Sequence, residues 1–579
     1  METDFLPPHL RKYVVEQNYE RYTPLDQAVW RYVLRQLKDY LSRHAHECYV
    51  EGLSKTGIEI ETIPRIENIS AKLQQFGWRA LPVSGFIPPA AFMELQSLGV
   101  LPIASDMRTL DHLLYTPAPD IVHEAAGHAP ILIHPEFAEY LRRYAQIAKK
   151  AIISKEDLDL YEAIRDLSDL KENPTSTPEQ IKASEERLDK VSKNIHHISE
   201  ASELSRMNWW TAEYGLIGDI NNPKIFGAGL LSSVGESRWC LGQKVKKIPL
   251  TVDCIKMGYD ITEPQPQLFV TPDFKTLVSV LEEMAETMAF RQGGLQGLRK
   301  AIQAESVNTA ELNSGLQISG TLVEALTDAN GALAYLRTQG PTQLCFKDKE
   351  LKGHDKSYHA HGFGTPVGFL KNKSQCPSTF TDADWASLNV EPGKTTRLEF
   401  TSGVVVTGKV INRLVQNGKT VLLSLEDAKA VFNDKVLFDP SWGTYDMAVG
   451  SSVTSVFGGA ADREAYGETV DFVAKRVPQI KYSEKETRLH NQFSQMRKLR
   501  ESKVTGPELE KKIQELLKIH DQDFSQDWLL RVEALELVQA HLPQSALKAK
   551  LNEDLKKLTS KDETTQGMIE DGIRLSGAL

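Results

Sequence analysis

The chain has 579 residues, of which 41% are hydrophobic and 25% charged, with a formal net charge of −10. That length calls for about three units of roughly 100–200 residues, and the composition excludes a chain disordered throughout or a fibrous repeat. The acidic balance provides no basic stripe for nucleic acid, and no run of about eighteen apolar residues offers a membrane span. The opening residues Met1-Glu2-Thr3-Asp4-Phe5-Leu6-Pro7-Pro8 lack a secretory signal pattern. A cytoplasmic protein with neither nucleic-acid nor membrane partners is therefore expected. The five cysteines, Cys48, Cys240, Cys254, Cys345 and Cys376, are scattered without a C-x-x-C pair. This argues against a disulfide framework or a cysteine-rich zinc site and leaves metal chemistry to histidine and carboxylate.

From Pro24 to Cys48, Leu25, Ala28, Val29, Tyr32, Val33, Leu37, Tyr40 and Leu41 recur at helical spacing. A second helix fits Ile66 to Phe76. Between Gly77 and Pro119, Gly85, Pro88, Pro89, Gly99 and Pro102 interrupt short apolar stretches, which predicts a loop-rich segment. Helical spacing resumes from Asp120 to about Ala304, so this half of the chain reads as mostly α. Residues 149–205 stand apart by their charge. Thr177-Pro178-Glu179-Gln180 matches a capping box with proline at the first helical position, and the stretch reads as an inserted antiparallel helical hairpin. Beyond about 305, Arg397–Ile411 and Thr420–Leu425 read as strands joined by glycine and Asn-Gly turns. From Tyr482 helical spacing returns. The expected division is a mostly α domain over 1–305 with the hairpin at 149–205, a small β-rich domain at 306–475, and a helical C-terminal region at 476–579.

Chemistry concentrates in Asp120-Ile121-Val122-His123-Glu124-Ala125-Ala126-Gly127-His128-Ala129-Pro130. The segment is close to the H-E-x-x-H zinc-protease pattern, but the second histidine stands five residues after the first rather than four. On a continuous α-helix, five steps of about 100° leave two side chains roughly 140° apart. The expectation is that the helix breaks at Gly127, with Pro130 preventing its continuation. A third ligand is offered by Glu213, within Trp209-Trp210-Thr211-Ala212-Glu213-Tyr214-Gly215-Leu216, because a carboxylate in so apolar a stretch is costly unless paired or metal-bound. Two histidines and one carboxylate suit non-heme Fe(II). On spacing alone, a zinc hydrolase and a purely structural set remain open.

The blocks Tyr115-Thr116-Pro117-Ala118-Pro119-Asp120-Ile121-Val122-His123-Glu124, Gly127-His128 and Pro135-Glu136-Phe137-Ala138 resemble the signature of the pterin-dependent aromatic amino acid hydroxylases. Ala212–Leu216 and Phe226–Glu236 resemble two further blocks of that family, and the likeness runs from about Tyr22 to Leu298 with the charged hairpin as an insertion. It implies a mostly helical, basket-like catalytic domain. It further implies an iron- and tetrahydropterin-dependent monooxygenase that adds one atom of O2, a cosubstrate, to the ring of a small aromatic amino acid. By the same resemblance His123, His128 and Glu213 are the Fe(2+) ligands, and Arg108 and Thr116 hold the substrate carboxylate. Pro119 and Trp209 pack on the substrate ring, Ser232 supports the ligands, Phe92 stacks on the pterin and Glu124 lies beside it.

Three positions depart from the family pattern: Ala118 replaces an acidic residue, Asn208 a tyrosine and Pro89 a serine. Trp209 resembles the phenylalanine and tyrosine enzymes of the family more than the tryptophan ones, and phenylalanine, converted to tyrosine, is the leading substrate expected. No regulatory domain is expected ahead of the catalytic one, because helix begins almost at once. The alternatives are a zinc-dependent hydrolase on the same three residues, or a scaffold built on a hydroxylase-like domain. In the scaffold case a protein partner or self-association would use the hairpin or the C-terminal half. Beyond 305 no catalytic motif stands out, and His359-Ala360-His361 reads as a pair of loop histidines.

Overall fold

The computed structural model describes residues 3–83, 87–113, 119–172, 176–260, 263–467, 482–558 and 563–577. Helix Pro24–His44 runs through the middle of the largest apolar core. Its start is set by Thr23, whose hydroxyl accepts from the Asp26 amide while the Asp26 carboxylate accepts from the Thr23 amide, with Pro24 at the first helical position. The helix expected over Ile66–Phe76 forms as Ile66–Leu73 followed by a 3-10 turn, Gln74–Phe76.

The segment expected to be loop-rich contains a β-α-β unit instead. Strand Arg79–Val83 pairs in parallel with Val100–Ala104, and helix Pro89–Ser97 lies between them in sequence. Every residue of these strands except Arg79 is buried. A strand covered on both faces shows no polar–apolar alternation, so the sequence carried no period to read. Four short strands, Leu216–Ile217, Lys224–Ile225, Lys246–Pro249 and Gln267–Thr271, make a second small sheet.

The charged insertion forms helices Lys155–Glu172 and Pro178–Lys193, and the Thr177/Gln180 capping box is present. Lys171 pairs with Glu185, and Arg187 pairs with Glu162 and Asp166, an order that makes the two helices antiparallel.

The β-rich part consists of two antiparallel sheets. One has six strands, with Leu316–Thr327 and Leu333–Phe346 as its long central pair. The other has five and is dominated by the hairpin Val405–Gln416/Lys419–Phe432. Asn417 and Gly418 turn that hairpin with φ of 47° and 74°, which explains the Asn-Gly dipeptide.

Two interfaces tie these parts together. Helix Gly294–Ala304 places Leu298, Ala301 and Ala304 in one cluster with Ala310, Ile318 and Val456 of the six-stranded sheet, so a break near 305 separates the helix from the surface it covers. The C-terminal helices share the largest apolar core, with Trp528, Leu529, Val532 and Leu535 in the same cluster as Val29, Val33 and Leu37. Across that contact Arg31 donates to Glu533 and to Glu536 at 2.9 Å each, and within the C-terminal helices Arg500 donates to Glu536 at 2.8 Å. The C-terminal region is thus helical as expected, yet its packing is continuous with the first half of the chain.

Candidate active site

His123 and His128 lie on one short helix, Val122–His128, and this helix is π rather than α. Its i→i+5 pattern continues to the Ala129 amide, which donates to the Glu124 carbonyl. In such a helix residues five apart stand one above the other, so the two imidazoles converge without any break. The expected interruption at Gly127 is therefore corrected: the helix runs through it. Gly127 is required for another reason, since a Cβ there would meet the Ala228 carbonyl oxygen at 2.6 Å. Glu213 ends a second π turn, Trp209–Glu213, closed by the Tyr214 amide donating to the Trp209 carbonyl at 2.8 Å. Both bulges occur where side chains must be re-aimed, a common position for π turns.

The three side chains meet. His123 Nε2 lies 3.3 Å from Glu213 Oε2, and His128 Nε2 lies 3.2 Å from Glu213 Oε1. Ser232 Oγ donates to the Ala228 carbonyl at 2.8 Å and lies 3.1 Å from His123 Nδ1, so the hydroxyl accepts from the ring. That contact assigns the His123 proton to Nδ1 and leaves the Nε2 lone pair facing a carboxylate oxygen. Two lone pairs at this distance need a cation or a proton between them, and the donor set fits a divalent metal ion. Burial raises the Glu213 carboxyl, but His128 and His123 outweigh it and hold the group below the usual carboxylate range. His128 is the most enclosed of the three, while His123 and Glu213 keep a partly open side.

Arg108 is buried behind this centre. Its Nε and Nη2 donate to the two oxygens of Asp120 at 2.7 and 2.8 Å, and its Nη1 donates to the Ser232 carbonyl at 3.1 Å. Of a guanidinium's five donors, these bonds leave one N–H on each terminal nitrogen. Burial raises the Asp120 carboxyl, but Arg108 outweighs it and holds the group below its ordinary value. Asp120 also accepts from the His123 amide at 3.0 Å, and so joins Arg108 to the ligand helix. Its role went unread, although an aspartate three residues ahead of His123 is a helix-start signal.

Trp209 is stacked on Tyr214 and Tyr259, at centroid distances of 4.4 and 4.3 Å. Two rings this close cannot share one face of the indole, so its faces are taken and only its edge remains for a ligand. The tyrosines were not anticipated. Tyr214 donates to Glu236 at 2.6 Å. Glu124 is buried, its Oε2 has no hydrogen-bond partner, and burial pushes its carboxyl up to about 8. Phe92 is half-buried against a separate cluster containing Leu6, Leu81, Leu95 and Val100. Pro119 is exposed, and Thr116 lies outside the described residues.

Residues 13–154 and 192–293 match the family profile described as biopterin-dependent aromatic amino acid hydroxylase. The enzyme class is accordingly that of the aromatic amino acid hydroxylases. The gap in the match covers the helical hairpin, and its end precedes helix Gly294–Ala304. A phenylalanine-4-hydroxylase of Mesorhizobium japonicum is 29% identical over 269 residues, spanning 46% of this chain and 81% of the relative. One from Pseudomonas aeruginosa is 29% identical over 271 residues, spanning 46% and 86%. A solved phenylalanine hydroxylase structure from Chromobacterium violaceum, with bound iron(III) and 7,8-dihydrobiopterin, aligns at 24% identity. That alignment covers 48% of this chain and 85% of the other, with a TM-score of 0.38. Among the described residues no helix is long and apolar enough to cross a membrane.

Proposed function

We propose that the chain hydroxylates phenylalanine to tyrosine, with Fe(II) held by His123, His128 and Glu213 and a tetrahydropterin and O2 as cosubstrates. The observation that carries this reading is the convergence of two imidazoles and one carboxylate on a partly open side, the donor set of non-heme iron oxygenases. Iron so held supplies the place where O2 is activated with electrons from the pterin. The chain's own part is positional. Ser232 fixes the His123 tautomer. Arg108 keeps one N–H on each terminal nitrogen that could bond a substrate carboxylate. The clamped edge of Trp209 offers a rigid wall for the substrate ring. Glu124 takes its place beside the pterin from the resemblance, and its buried Oε2 has no other hydrogen-bond partner. Phe92, Pro119 and Thr116 take their roles from the resemblance alone. Relatives named phenylalanine-4-hydroxylase at 29% identity support phenylalanine over tyrosine or tryptophan.

We further propose that the catalytic body comprises residues 13–293 together with the C-terminal helices that share its core, the β-rich part being a second body. The test of function is product analysis with Phe, Tyr and Trp after anaerobic loading with Fe(II), with and without tetrahydropterin. Tyrosine formed from phenylalanine only when both are present is the expected result. Pterin-independent hydrolysis supported by zinc would instead establish the hydrolase reading.

A further inference from the structure

The β-rich part holds a second histidine–carboxylate cluster that the proposed reaction does not use. We propose that His354 Nδ1, His359 Nε2 and Asp446 Oδ2 bind one divalent transition-metal ion of the zinc class, with solvent as the fourth ligand.

The geometry is compact. His354 Nδ1 and His359 Nε2 stand 3.2 Å apart, and Asp446 Oδ2 lies 3.9 Å from His354 Nδ1. One ligand atom from each residue falls within 4.8 Å of the others. Tetrahedral zinc, with Zn–N distances of about 2.0–2.1 Å, has ligand–ligand edges of roughly 3.3 Å, so the two nitrogens already have that separation. The carboxylate has to close on His354 Nδ1 from 3.9 Å by about 0.6 Å.

Asp446 needs a cation. Its side chain is 3% exposed, and among the described residues no lysine or arginine pairs with it, its basic neighbours being His354 and His359. A carboxylate this deep is stable only when paired or metal-bound. Oδ1 accepts from Ser424 Oγ at 2.5 Å, the Tyr358 hydroxyl also donates to the carboxylate, and Oδ2 lies towards His354.

The ligands are also pre-positioned, and they come from both sheets. Asp446 belongs to strand Tyr445–Ala448 of the five-stranded sheet. His354 and His359 sit on a loop hydrogen-bonded to strand Leu333–Phe346 of the six-stranded sheet: the Leu344 amide donates to the His354 carbonyl and the Thr342 amide to that of His359. The loop itself is turned by Asp355, whose carboxylate accepts from the Ser357 and Tyr358 amides. The His359 ring is held edge-on between Tyr358 and Phe363. A metal here would pin the two sheets across their seam. His361, which the sequence pairs with His359, is exposed and takes no part.

The inference stands apart from the catalytic reading, because the two sites share no residue. The experiment strips the full-length protein with a chelator and titrates it with Co(II) and with Zn(II), following visible absorption and bound equivalents. Wild type should bind two equivalents, and Glu213→Ala, His354→Ala and Asp446→Asn one each, with His361→Ala unchanged. The tetrahedral cobalt bands should vanish in His354→Ala and Asp446→Asn and persist in Glu213→Ala. If the iron reading alone fails, wild type binds one equivalent and His354→Ala none. His354 is partly exposed and Asp446→Asn preserves shape, so circular dichroism on both guards against a folding artefact. Wild-type stoichiometry and spectrum in either folded variant overturn the second site, as does a single wild-type equivalent lost with Glu213→Ala.

Discussion

Arg108 and Asp120 form a two-pronged ion pair, with bonds of 2.7 and 2.8 Å, directly beneath the helix that carries His123 and His128. Both side chains are almost fully enclosed. Because Asp120 also accepts from the His123 amide, and Arg108 donates to the carbonyl of Ser232, the pair links the proposed substrate fork to the proposed metal ligands. Asp120→Asn should therefore weaken both. Removing one partner of a buried pair costs about 3–5 kcal/mol, so the melting temperature should fall markedly and the KM for phenylalanine should rise. Wild-type melting and KM in the variant would remove Asp120 from this role.

Ser232→Ala deletes the acceptor for His123 Nδ1 while keeping the Ser232 backbone carbonyl that Arg108 uses. Loss of such an orienting contact lowers metal affinity by about 10- to 100-fold. Competition with a calibrated chelator measures this directly, and the phenylalanine KM at saturating iron should move little. An unchanged metal affinity would show that the hydroxyl does not orient the ring.

Glu236 gives a pH dependence of stability. Burial pushes its carboxyl up to about 7, against the lowering effect of the Tyr214 hydroxyl bond. With the folded value above the unfolded value of 4.5, its contribution is fully present below the unfolded pKa and is lost as pH rises through about 7. Glu236→Gln retains an acceptor for Tyr214 without the ionisation. Its melting temperature relative to wild type should therefore improve steadily between pH 5 and pH 8. A difference that does not change with pH would contradict the assigned shift.

A chain ending near residue 305 should not stand alone. Such a cut uncovers the apolar face that meets Trp528, Leu529, Val532 and Leu535, and strands Arg31 without Glu533 and Glu536. Uncovering that apolar surface favours aggregation, against a typical stability of only about 5–15 kcal/mol. The truncated chain should be aggregated or unfolded, while a chain lacking only 306–475, with 305 and 476 joined by a flexible linker, should retain more fold. Size-exclusion profiles and thermal melts decide this, and a monomeric 1–305 chain melting like the full protein would refute it.

The three convergent residues were legible in the sequence, His123 and His128 by their spacing, Glu213 as a carboxylate in an apolar stretch, and all three together through the resemblance to the hydroxylase blocks. The sequence alone also determined the hairpin and its Thr177 cap, and the Asn417-Gly418 turn, since capping and turn chemistry are settled within four residues. The β-α-β unit at 79–104 stayed hidden because strands buried on both faces carry no alternation. How two histidines five apart meet was decided only by tertiary packing: Gly127 pressed on Ala228 and Asp120 bonded to Arg108 accompany a π turn that helical arithmetic for an α-helix excludes. The union of the C-terminal helices with helix Pro24–His44 was likewise beyond the sequence. It rests on pairs such as Arg31–Glu533, whose partners lie 502 positions apart and meet only once the intervening chain has folded.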